Sequence, residues 1–137
     1  GAALRSGLPV FATCAGMILL AARVENPQQR SYALLPITVV RNGYGRQLHS
    51  GTFALESTVL PAGTTGTFIR APRITHVDGG CEVLARRGGD PVLVQCGPIL
   101  AACFHPELAL RHPVCARFAA MVREQEAAPA PAAAMMA

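Results

Sequence analysis

The sequence predicts a three-layer α/β domain with a central, largely parallel sheet and antiparallel hairpins inserted between residues 52 and 95. Three observations lead there. A short apolar run at residues 9–12 passes through Thr13-Cys14-Ala15-Gly16 straight into a second apolar stretch, which reads as buried strand, sharp turn and helix. A series of short β-branched segments separated by Gly and Pro turns occupies the middle of the chain. A second buried strand, residues 99–104, is then followed by a helix with one apolar face.

Taken in order, the first helix is expected over residues 17–22, and residues 25–30 (ENPQQR) read as a polar loop around Pro27. Residues 32–40 are apolar enough for one or two strand segments, and two glycines in residues 41–46 break the pattern. Residues 52–55 and 57–60 read as strands, followed by a Pro61-to-Gly66 turn and a strand at residues 67–70. The clearest hairpin pairs residues 82–86 with 91–95 around Arg87-Gly88-Gly89-Asp90. From about residue 108 to 126, Leu110, Val114, Phe118, Met121 and Val122 recur at three- to four-residue steps, with Pro113 suited to a first turn. The Ala/Pro stretch of residues 127–137 has no face to bury and reads as a disordered tail, leaving residues 1–126 as the domain.

Composition narrows the function classes. With 51% hydrophobic and 15% charged residues the chain can bury a core. No run of about 18 apolar residues uninterrupted by a charge or a turn signal is present, so neither a spanning helix nor a membrane partner is expected. All 12 basic residues are Arg, and they are scattered, so the net charge of +4 does not form the stripe a nucleic-acid partner requires. The 5 cysteines show no CxxC pair and mostly sit in apolar runs as small hydrophobes, which reads as a reducing, cytoplasmic setting. The chain opens GAALRSGLPV, with no initiator Met and no signal-peptide pattern, and reads as an internal point of a longer chain.

The chemistry centres on Cys14. A Cys between a buried strand and a helix start is held at a nucleophile elbow, where the helix N-terminus favours thiolate and the Ala15 N–H points toward a forming oxyanion. The alternative is a small core residue beside Gly16. His105, at the end of the 99–104 strand, is the candidate base. Glu107 lies two residues on, and in an extended segment, kept from turning helical by Pro106, both side chains lean the same way. That carboxylate can hold the imidazole tautomer. The other reading of the pair is a cap on the following helix.

Four segments then resemble a known family in order and spacing: residues 9–21 (PVFATCAGMILLA), 40–47 (VRNGYGRQ), 68–72 (FIRAP) and 104–108 (FHPEL). They are similar to the glutaminase subunits of pyridoxal 5′-phosphate synthase, within the class I glutamine amidotransferases. The resemblance implies a three-layer, flavodoxin-like domain lacking its N-terminal strands. It implies Cys14 as nucleophile, His105 as general base and acid, Glu107 as the orienting carboxylate, and Arg41, Ile69 and Arg70 as contacts to L-glutamine. It also implies that ammonia passes to a barrel-shaped synthase subunit, with no metal or cofactor on this chain. A Pro-Gly-Gly-Glu-Ser loop that supplies a second oxyanion donor in the family has no counterpart before Gly7. Losing such a donor costs about 10²–10³ in rate. A non-catalytic docking subunit, or a glutaminase serving another ammonia acceptor, are the competing functional readings.

Overall fold

Four consecutive residues, Val10–Thr13, form strand β1 with no solvent-facing side, and a strand buried on both faces belongs inside a sheet that other elements cover. In the computed structural model, which describes residues 8–25, 34–41, 50–108, 111–126 and 134–136, β1 pairs in parallel with β9, Ile99–Ala102, in a register running from Val10↔Ile99 to Thr13↔Ala102. β9 pairs antiparallel with β8, Asp90–Cys96, and β8 with β7, Glu82–Arg87. The β7–β8 turn is the expected hairpin, with Gly88 and Gly89 at φ 55° and 88°, a backbone region that disfavours side chains. On its other edge β1 pairs in parallel with β10, Ala134–Met136, so the five strands run in the order β10-β1-β9-β8-β7.

Helix α1, Ala15–Leu20, follows β1 directly and buries Gly16, Met17 and Leu20. Strand β2, Ala21–Glu25, then pairs in parallel with β3, Leu35–Val40, and β3 pairs antiparallel with β6, Arg73–Val77. A separate antiparallel ribbon joins β4, Ser50–Ala54, to β5, Thr65–Ile69. Helix α2, Pro113–Glu126, opens on Pro113, whose fixed φ suits a first helical turn. Its Val114 is fully buried, and Phe118 stacks on Phe11 with ring centroids 5.3 Å apart. The core is continuous through Phe11, Met17, Leu35, Phe68, Leu100 and Phe104.

The α/β architecture and the antiparallel hairpins between residues 52 and 95 are as expected, but the central sheet is mixed rather than largely parallel, because β9–β8 and β8–β7 pair antiparallel through short turns, and several local expectations are corrected. Residues 57–60 are not a strand: Ser57 Oγ accepts the N–H groups of Val59 and Leu60 and donates to Leu84 O, offering the backbone a turn instead of a ladder. Pro106 does not keep its segment extended, because Pro106–Leu108 forms a 3₁₀ turn for which proline's φ is suited. The first helix ends at Leu20, and the chain goes straight into β2. Cys81 and Cys96 are joined as a disulfide, not five separate thiols, since they flank the paired residues Glu82 and Gln95. The tail is ordered where Ala134–Met136 pairs with β1. The polar loop expected at residues 25–30 lies outside the described residues from 26 onward, as do residues 32–33, 42–49, 109–110 and 127–133.

One close approach sets a test of this packing. A Cβ on Gly66 would lie 2.9 Å from Cγ of the Phe104 ring, and that ring is itself fully buried. Gly66→Ala is expected to lower unfolding free energy by about 1–3 kcal/mol in urea titration. Truncation after residue 126 would bare the edge of β1, whose own side chains are buried. The expected outcome is a lower Tm and concentration-dependent self-association in size-exclusion chromatography.

Candidate functional site

The parallel pairing of β1 with β9 brings two sequence-distant segments to one sheet edge. Thr13 lies opposite Ala102, and the ladder continues one step further as Cys14 N–H donates to Ala102 O at 3.0 Å. Cys14 then turns the chain, with φ 44° and ψ −99°, and α1 begins at the next residue. A left-handed φ on a non-glycine residue is strained, and such strain collects at functional turns. The strand–turn–helix geometry expected around Cys14 is therefore present. As the first residue of α1, Ala15 has an N–H with no acceptor inside the helix, placed beside Cys14.

On the neighbouring strand the chain leaves Ala102 through Cys103 and Phe104 to His105. The His105 N–H donates to Thr67 O at 2.8 Å, which fastens the segment to β5. His105 Nδ1 lies 2.6 Å from Glu107 Oε1, with the two side chains 22% and 31% exposed. The carboxylate thus holds Nδ1–H and leaves Nε2 as the nitrogen available for proton exchange. The pairing expected of an extended segment is achieved by a 3₁₀ turn instead.

The protonation state of Cys14 differs from the expectation. Its side chain is buried and its Sγ donates to Cys103 O at 3.3 Å. Burial, with the Glu107 carboxylate adding to it, pushes the thiol from its ordinary 9.0 up to about 12. The six residues of α1 carry too little field to overcome that desolvation. Near neutral pH Cys14 is a thiol. Cys103, fully buried beneath it, and Cys115, which also feels Glu107, are likewise pushed up by burial.

Ala15 and Arg41 line one open pocket of about 210 Å³ together with Ile18 and Leu19. Two of the expected substrate contacts therefore share one open, largely apolar pocket, whose lining includes neither Cys14 nor His105. Ile69 and Arg70 do not line it: they end β5, exposed, with Arg70 at φ 45°, two and three residues beyond the Thr67 carbonyl that holds His105. Most of the RNGYGRQ motif lies outside the described residues. Among the described residues no group of three His, Cys, Asp or Glu side chains is placed to hold a metal ion. Sequence reasoning did not single out His112, buried between β5 and α2; a His directly before a helix-opening Pro was the available signal.

A profile of the SNO glutamine amidotransferase family matches residues 2–124. The chain belongs to that family. Within it, the chain is 52% identical over 116 residues to the pyridoxal 5′-phosphate synthase subunit PdxT of Koribacter versatilis, covering 84% of this chain and 60% of that protein. It is 50% identical over 106 residues to the protein of the same name in Thermotoga neapolitana, covering 77% and 56%. A solved structure described as a glutamine amidotransferase superposes with a TM-score of 0.79 at 40% identity, over 88% of this chain and 64% of the other. The chain thus spans somewhat over half the length of the family members it matches.

The raised thiol value has a consequence for stability. The folded chain keeps the Cys14 proton up to about pH 12, whereas the unfolded chain releases it near the ordinary 9.0. Between those values the unfolded state binds fewer protons, so stability is lost as pH rises. Tm is expected to fall from pH 9 upward in scanning calorimetry, less steeply in Cys14→Ala.

Proposed function

We propose that this chain hydrolyses the side-chain amide of L-glutamine through Cys14, His105 and Glu107, and hands the ammonia to a pyridoxal 5′-phosphate synthase barrel subunit. The observation that carries the reading is the strained Cys14 elbow set, by the β1–β9 register, at the same sheet edge as the 2.6 Å His105–Glu107 pair. The names of the similar proteins support the ammonia acceptor.

The chemistry follows from a neutral nucleophile. As Cys14 Sγ attacks the amide carbon, its proton passes to His105 Nε2, and Glu107 stabilises the imidazolium through Nδ1–H. The oxyanion is received by the Ala15 N–H. Collapse breaks the C–N bond while His105 returns the proton to the leaving nitrogen, giving ammonia and a γ-glutamyl thioester. Water attacks the thioester with His105 again as base, and glutamate leaves as the proton returns to sulfur. A thiol held at about 12 makes the general base indispensable, because almost no thiolate exists near neutral pH. Arg41, on the wall of the elbow pocket, suits the substrate α-carboxylate, for which a guanidinium offers a bidentate pair. Ile69 and Arg70 would border the same substrate from the end of β5.

A cytoplasmic setting belongs to the same proposal; among the described residues no helix is long and apolar enough to cross a membrane. The second reading carried from the sequence is a subunit that docks the synthase without turning over glutamine.

Ammonia release from glutamine, with and without the barrel subunit, separates the two. The expected outcome is release that disappears in Cys14→Ala while docking persists; a folded chain that docks but releases none would establish the second reading. Glu107→Gln is expected to lower kcat by about 10²–10⁴-fold with KM little changed, measured in the same assay.

A further inference from the structure

Strand β5 carries two carbonyl groups on one edge, two residues apart, and both are taken by segments of the candidate site. Thr67 O accepts the His105 N–H at 2.8 Å. Thr65 O lies 2.6 Å from His112 Nε2. Between them, Gly66 leaves room for the Phe104 ring, the side chain directly before His105.

His112 is buried, and both its ring nitrogens are occupied. The Val114 N–H donates to Nδ1 at 3.1 Å, so Nδ1 carries no proton and the Nε2–H donates to Thr65 O. The imidazole also packs against Phe104, ring centroids 5.7 Å apart, and Phe104 against Phe68 of β5 at 5.7 Å. The chain reaches His112 through Arg111, one of three non-glycine residues with left-handed backbone, at φ 58°. A strained turn is thus held in place so that a buried imidazole can bond strand β5.

We propose that His112 is a positioning residue: its Nε2–H bond to Thr65 O, alongside the His105 bond to Thr67 O, fastens Phe104–Leu108 and Arg111–His112 at β5 and fixes the pose in which His105 meets Glu107. The proposal rests on the glutaminase reading for its effect on rate, and on geometry alone for its effect on the His105–Glu107 pair. His112 touches no reacting atom. It acts by denying the 3₁₀ turn that carries Glu107 freedom to lift from the sheet, and a loss of alignment near 1 Å costs on the order of 10²-fold in rate.

The two bonds of His112 can be cut separately. His112→Asn keeps an oxygen where Nδ1 stands and retains the Val114 cap, but does not reach Thr65. His112→Gln places its amide N–H where Nε2 stands and retains the Thr65 bond, but loses the cap. With the 137-residue chain and the barrel subunit, His112→Asn is expected to lower kcat about 10- to 100-fold with KM within about twofold, and His112→Gln to restore most of the rate. A helix-capping role alone predicts the reverse order, and that order would overturn the proposal. The second readout needs no turnover: the low-field proton NMR signal of His105 Nδ1–H bonded to Glu107. It should persist in the wild-type chain and His112→Gln and vanish in His112→Asn. Persistence in folded His112→Asn overturns the proposal even if the wild-type chain releases no ammonia, an outcome that would itself sink only the glutaminase reading.

Discussion

The parallel register of β1 on β9 is the constraint on which the rest of the site depends. The ladder is bonded from end to end, from the Val10 N–H on Pro98 O at 2.9 Å to the Cys14 N–H on Ala102 O at 3.0 Å. A slip of one residue would turn every inward side chain of a fully buried strand to the wrong face, so the register is strongly specified. Because the pairing is parallel, both strands leave the sheet at the same edge. Cys14 and the segment carrying His105 are neighbours for that reason and no other.

Around that edge backbone strain and burial set the state of the groups. Cys14 is bent into a left-handed turn and kept as a thiol. Glu107 acts on both His105 and Cys14: it holds His105 Nδ1 at 2.6 Å, and its charge opposes a thiolate on Cys14. A buried thiol resists adventitious alkylation and oxidation.

The supporting frame is aromatic and lies behind the site. Phe104 sits between Phe68 and His112, and Arg87 spreads its guanidinium over Phe53 at 3.6 Å and Phe68 at 4.6 Å. The β4–β5 ribbon is thereby joined to the main sheet by ring stacking and cation–π attraction as well as by hydrogen bonds. β5 acts as a rail: one face carries Phe68 into the core, and its edge carbonyls hold His105 and His112.

Much of this was legible in the sequence, because short-range rules govern it. The strand–Cys14–helix turn, the Gly88-Gly89 hairpin, the helix opening on Pro113 and the partnership of His105 with Glu107 each depend on residues a few positions apart. What short-range rules could not decide, tertiary contacts did. Ser57 chose a turn because Leu84 O lay within reach of its hydroxyl. Residues Ala134–Met136 became a strand because β1 offered an open edge. Cys81 met Cys96 because the hairpin register placed them opposite each other. Residue type and spacing pointed to Cys14, His105 and Glu107 as the candidate nucleophile, base and carboxylate. Whether the thiol keeps its proton, and what holds His105 to Glu107, depend on burial and on carbonyl groups that only the packed sheet supplies, because desolvation and hydrogen-bond geometry are properties of assembled surfaces.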